Sequence, residues 1–91
     1  MEEPLSAQQA KVLIRAILRE GNVRFSGHAR RRMDERDMSE VDCANVLRGG
    51  DVVLVEPENG TWRYRVATPR MWVAVAFRSA RTLVVVTVCR T

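Results

Sequence analysis

The stretch DVVLVEPENGTWRYRVATPRMWVAVAFRSARTLVVVTVC, residues 51–89, decides the fold. It consists of short runs rich in β-branched and aromatic residues, separated by turn chemistry, with side-chain character repeating at period two. Asp51–Glu56 reads as a strand, and Pro57-Glu58-Asn59-Gly60 carries the Asn-Gly hairpin signal. Thr61–Ala67 reads as a second strand, with Trp62, Tyr64 and Val66 on one face and Arg63 and Arg65 on the other. Thr68-Pro69-Arg70 turns the chain into a third strand, Met71–Arg78. Ser79-Ala80-Arg81 turns it into a fourth, Thr82–Cys89. Leu83–Val88 is apolar at every position but Thr87, the pattern of a central strand covered on both faces. The turns are too short for crossovers, so an antiparallel meander of four strands is expected.

Upstream the period changes to helical. Ser6 and Gln9 form a capping box for a helix over about residues 7–20. Ala10, Leu13, Ala16 and Ile17 recur at helical spacing, and Val12, Ile14 and Leu18 widen the apolar face. Gly21 is a natural stop. Val23-Arg24-Phe25 reads as an extended link. Ser26 caps a second helix, about 27–37, with Ala29 and Met33 as its apolar stripe. Ser39 caps a third, with Asp42 at N3, Val41, Ala44 and Leu47 turned inward, and Gly49-Gly50 as its end. The expectation is an α+β domain spanning residues 1–91: N-terminal helices packed on a four-stranded antiparallel twisted sheet, with the first six residues frayed.

Ninety-one residues and 10.4 kDa bury roughly 60–70% of the unfolded surface, enough for one core without obligatory cross-links. The longest apolar run, Met71–Phe77, has seven residues, far short of the roughly 20 that cross a bilayer. Met1-Glu2-Glu3-Pro4 lacks the basic-then-apolar layout of a signal peptide. A cytoplasmic protein with no membrane partner is expected. Two cysteines and one histidine cannot supply a four-ligand zinc site. Cys43 and Cys89 read as small buried thiols, and neither metal nor cofactor is expected.

Charge is distributed unevenly. Residues 1–60 carry nine basic and eleven acidic side chains, whereas residues 61–91 carry six arginines (Arg63, Arg65, Arg70, Arg78, Arg81, Arg90) and no acid. Fourteen of the fifteen basic residues are arginine. The planar guanidinium fork suits phosphate, so a nucleic-acid partner is one reading. Codon bias in a GC-rich genome is the other.

Two clusters carry potential chemistry. In Ser26–Arg36, His28, Arg32 and Arg36 are spaced i, i+4, i+8, within an arc of roughly 80° on a helix. Such a row can hold a phosphate and supply a proton-transfer group. It is equally the pattern of a solvated basic helix whose arginines pair with Asp34, Glu35 and Asp37. The second cluster is Arg63 and Arg65, costly to bury against a helix but well placed against solvent or an anion. Arg78 adds a third strand-borne phosphate ligand. Thr87 offers a hydroxyl, although a β-branched residue there needs no further reason. No phosphate-cradling glycine loop, carboxylate cluster for magnesium or Ser-His-Asp set can be assembled. What remains is metal-free phosphoryl chemistry. Arg32 and Arg65 would stabilise a phosphorane-like transition state, His28 as general base or Tyr64 would move a proton, and Arg36, Arg63, Arg78 and Thr87 would bind the backbone. RNA suits such a site because its 2′-hydroxyl is a built-in nucleophile.

The string Ser26-x-His28-Ala29-x-x-Arg32-Met33-x-Glu35-Arg36, the helix-starting Ser39, the Tyr64-Arg65 strand and the terminal Val-Val-Thr-Val strand resemble a small bacterial family catalogued as a domain of unknown function and placed in the RelE/ParE toxin superfamily. The Gly21–Phe25 opening is similar to MqsR-type toxins, and the whole also resembles BrnT-type toxins. The resemblance covers nearly all of the chain after residue 6. It implies helices on a twisted antiparallel sheet, and a type II toxin: an endoribonuclease acting on mRNA, for some members on the ribosome, and held inactive by a co-encoded antitoxin. It places functional candidates at His28, Arg32, Arg36, Arg65 and Thr87. Asp37 departs from the pattern, which usually has Gly after the Arg. ParE-like members are directed at gyrase instead, and a non-catalytic nucleic-acid-binding module remains the other alternative.

Overall fold

The computed structural model describes residues 1–91. Its elements are α1 (Ala7–Glu20), β1 (Asn22–Phe25), α2 (Gly27–Arg36), α3 (Glu40–Gly49), β2 (Asp51–Glu58), β3 (Thr61–Ala67), β4 (Met71–Ser79) and β5 (Thr82–Arg90). The α+β class is as expected, but the sheet has five strands and is mixed, in the order β1-β5-β4-β3-β2. β2 to β5 form the antiparallel meander. The segment read as a link is β1, which pairs parallel with β5, Asn22 opposite Thr82 through Phe25 opposite Val85. Only four residues long, it has too little pattern to announce itself, and its partner lies some 60 residues away in the chain.

The capping boxes at Ser6/Gln9 and Ser39/Asp42 both form, and Ser26 Oγ accepts from the Ala29 amide. Asn59 and Gly60 both have positive φ, as a two-residue hairpin turn requires. Gly21 is a glycine for contact rather than for φ: a Cβ there would collide with the Arg81 carbonyl oxygen. The Asn22 amide donates to that same carbonyl at 2.8 Å, so this close approach starts the parallel pairing.

One face of the sheet holds the core. Tyr64, Val66, Val73, Val75, Phe77, Leu83, Val85 and Val88 pack there against Ala10, Ile14 and Ile17 of α1 and Cys43, Val46 and Leu47 of α3. Lys11 ties α1 to the end of α3 through the carbonyls of Leu47 and Gly50. Two residues expected on apolar helix faces point outward instead: Val12 is 60% exposed and Val41 67%. Each lies on the helix flank that the sheet does not reach. Cys43 is buried while Cys89 is only half-buried; both are free thiols. The first six residues, expected to fray, are held: Leu5 packs against the core, and its amide donates to the Tyr64 hydroxyl at 3.0 Å. No helix is long and apolar enough to cross a membrane.

β1 is short, so it covers only half of one edge of β5. Helix α2 takes over along the rest. Its cap residue Ser26 donates from its amide to Val85 O (3.0 Å) and from Oγ to Val86 O (3.2 Å). At its far end, the Asp37 carbonyl accepts from Arg90 Nη2 at 2.8 Å. The second face of β5 is therefore not covered by a helix, contrary to the reading of Leu83–Val88 as buried on both sides. It forms the floor of an open groove.

Candidate functional site

The groove encloses roughly 450 Å³ on the sheet face opposite the core. Alternation builds it. On β3, Tyr64 and Val66 turn into the core, so Arg63 and Arg65 turn out. On β4, Val73, Val75 and Phe77 turn in, leaving Ala74 and Arg78 on the groove side. Small Ala74 keeps the floor low between the flanking arginines. On β5 the register slips opposite Ala74/Val75: Thr87 pairs with Ala74 and Val85 with Val75, so Val86 is extra. This bulge shifts the parity of the strand. Without it Thr87 would follow Leu83 and Val85 into the core; with it Thr87 faces the groove and Val88 takes the core position. Ser26 anchors the bulge carbonyl and begins α2, which brings His28 to the groove wall.

His28, Arg63, Arg65, Arg78 and Thr87 thus come together around one cavity. The three arginines have no acidic partner within 4.0 Å; the ion pairs of the molecule are Arg30–Glu40 (2.6 Å), Arg32–Glu35 (3.5 Å) and Arg90–Asp42 (3.3 Å). The Arg65 guanidinium lies 3.9 Å from the centre of the Trp72 ring, its diagonal neighbour across β3 and β4. That stack fixes the plane of the fork at little entropic cost. Arg63 Nε is buried without an acceptor, a situation that costs about 1–3 kcal/mol.

Three expected site residues lie elsewhere. Arg32 and Arg36 do not line the groove; Arg32 is half-buried against Glu35 and Arg36 is exposed. Tyr64 is a correction. It is completely buried on the opposite face of the sheet, its ring 5.0 Å from that of Phe77, and its hydroxyl donates to Glu3 Oε2 at 2.8 Å. The alternation that sends Arg63 and Arg65 outward sends Tyr64 inward, so it cannot move a proton at the groove. Burial pushes its phenol up to about 12, further from use near neutrality.

The sequence reading also passed over Glu56 and Glu58, which line the groove from β2. Their placement is legible in retrospect: the two-residue Asn59-Gly60 turn sets Glu58 opposite Thr61 and Glu56 opposite Arg63. β2 lies three strand intervals from β5, about 14 Å across the sheet. The carboxylates stand on the far wall from Thr87, with Glu56 opposite Arg63 but not in an ion pair with it. Arg24 of β1 was missed too. It pairs with Val84, and with Arg78, Ser79, Thr82 and Val84 it lines a second depression continuous with the groove at Arg78 and Val84. No group of three or more His, Cys, Asp or Glu side chains is arranged to hold a metal ion.

Residues 25–90 match a family profile described as a domain of unknown function, DUF4258. The chain belongs to this family. The DUF4258 region contains every groove residue, from Ser26 to Thr87, and leaves α1 and Arg24 outside. No curated protein and no solved structure matches the chain.

Proposed function

We propose that this DUF4258 protein is a metal-independent RNA endonuclease of the RelE/ParE toxin kind, restrained by a co-encoded antitoxin. The observation that carries the reading is the sharing of one groove by the sole imidazole of the chain and three arginines that have no acidic partner. Binding alone does not call for a titrating group, whereas strand scission by the 2′-hydroxyl does. His28 takes the 2′-hydroxyl proton as general base. The 2′-oxygen attacks phosphorus, the bond from phosphorus to the 5′-oxygen breaks, and a 2′,3′-cyclic phosphate remains. The leaving 5′-oxygen collects a proton from water or from the imidazolium just formed. Arg65, held on Trp72, and Arg63 stabilise the charge gathering on the non-bridging oxygens, with Arg78 and Thr87 positioning the backbone. Arg32 and Arg36, outside the groove, contribute charge along the approach from α2.

Cleavage of a single-stranded RNA by the purified protein tests this. Activity persists in EDTA, a 2′-deoxy sugar at the scissile position blocks cutting, and His28→Ala or Arg65→Ala lowers the rate on the order of a hundredfold or more with the fold intact. Full activity in His28→Ala overturns the assigned role. Abolition by EDTA overturns the mechanism. RNA that binds but is never cut identifies a binding module, and inhibition of gyrase without RNA binding identifies a ParE-like toxin.

A further inference from the structure

The cationic surface does not end at the groove. Arg24 on β1, Arg78 on β4 and Arg63 and Arg65 on β3 occupy the same face of the sheet, with Val84 of β5 between Arg24 and Arg78. β1 and β3 are separated by β5 and β4, so the arginines straddle three strand intervals, about 14 Å. Arg63 and Arg65 open into one depression and Arg24 into the other, with only Arg78 and Val84 common to both, so each depression offers its own place for a phosphate. Arg24 has no acidic partner within 4.0 Å. It is exposed, and it stands beside the hydroxyl-bearing Ser79 and Thr82. Val23 and Phe25 on either side of it turn into the core, so the backbone that carries it is fixed.

We infer that the depression lined by Arg24, Arg78, Ser79 and Thr82 is a second phosphate subsite, which takes a backbone phosphate one or more nucleotides away from the one held at Arg63 and Arg65. The site then selects a chain with several phosphates, laid across the strands from β3 toward β1, over a mononucleotide or a dinucleotide with one phosphate. Arg78, common to both depressions, sits between the two positions. Positively charged grooves that track the backbone are a common way to bind a single strand. This inference rests on the proposed RNA-directed function.

Binding of two uncleavable 2′-deoxy-substituted oligonucleotides tests it: a dinucleotide with one phosphate, followed by NMR shift, and a labelled tetranucleotide with three, followed by fluorescence polarisation. Arg24→Gln should weaken the tetranucleotide several-fold and reduce its salt slope by about 0.7, while leaving the dinucleotide unchanged. Arg63→Gln should weaken both, and Arg24→Lys, which keeps the charge, should retain most of the tetranucleotide affinity. If Arg24→Gln weakens both ligands equally, or neither, while Arg63→Gln weakens both, the second subsite is wrong and the RNA reading stands. If neither ligand binds the unaltered protein, the RNA reading falls and takes the subsite with it.

Discussion

Asp37 ends α2 with φ 54°, in the left-handed region. Its amide closes the helix on Met33 and Asp34 carbonyls, and its own carbonyl accepts from Arg90 Nη2. All of these are backbone contacts of Asp37, and its side chain forms no ion pair. The conformation costs an ordinary L-residue about 1–2 kcal/mol. A glycine is free of that strain but gives the unfolded chain extra freedom worth about 0.4–1 kcal/mol. Asp tolerates this region better than most L-residues, so the two quantities nearly offset, and Asp37→Gly should stabilise the protein by at most about 0.5 kcal/mol, read as a slightly higher urea midpoint with an unchanged slope. A lower midpoint would mean that the Asp37 side chain contributes something its neighbours do not reveal.

Among the elements, the N-terminal segment and β3 are linked through Tyr64, whose hydroxyl accepts from the Leu5 amide and donates to Glu3. Burial is the leading cause that raises the phenol from 10.0 to about 12, and the neighbouring Glu3 carboxylate adds to it. A raised native value means that the folded state keeps its proton longer than the unfolded chain. The associated stability is complete below pH 10 and is lost as the pH climbs from 10 to 12. Urea unfolding across that window should show the unaltered protein losing about 2–3 kcal/mol more than Tyr64→Phe. Burial raises Cys43 from 9.0 to about 11 as well, but this is common to both proteins and cancels in the difference. Equal losses would remove Tyr64 as the titrating group. The alternation of β3 that buries Tyr64 was plain in the sequence, and so were all three helices with their caps. What was hidden depends on contacts distant in the chain. β1 exists because α1 returns it beside β5, and nothing within Asn22–Phe25 announces a parallel partner. The Val86 bulge is equally silent: Leu83–Val88 reads as one uniform apolar run, and only pairing with β4 shows the change of parity at Thr87. Glu56 and Arg24 reach the arginine face only through strand pairing, Glu56 opposite Arg63 and Arg24 opposite Val84, and neither stands out in its own stretch of sequence.

For the whole molecule, the fold turns an uneven sequence into a two-sided object. Every acid lies before β3, in the N-terminal segment, the helices and their links, and β2; β3, β4 and β5 carry arginine and no acid. The helices cover one face of the sheet, so the arginines that alternation excludes from the core gather on the other. If RNA is the ligand, as proposed, such a face would attract it by releasing condensed counterions. A tetranucleotide offers three phosphates, so with all three contacted by Arg63, Arg65, Arg78 and Arg24 the slope of log K against log salt is about −2. Affinity for the tetranucleotide should then fall roughly 20-fold between 50 and 200 mM salt. On the proposed function, a co-encoded antitoxin would cover the same arginines, with acidic groups over Arg63, Arg65 and Arg78 and apolar groups over the Val84–Ala74 floor. Expression of the native operon should therefore yield a stable complex that no longer binds the tetranucleotide. Arg65→Ala should weaken the hold of the free protein on the partner and on the RNA alike. A complex that forms but binds RNA as tightly as the free protein would place the partner on another face, most simply the exposed Val12 and Val41 flank of the helices, and restraint by occlusion of the groove would be wrong.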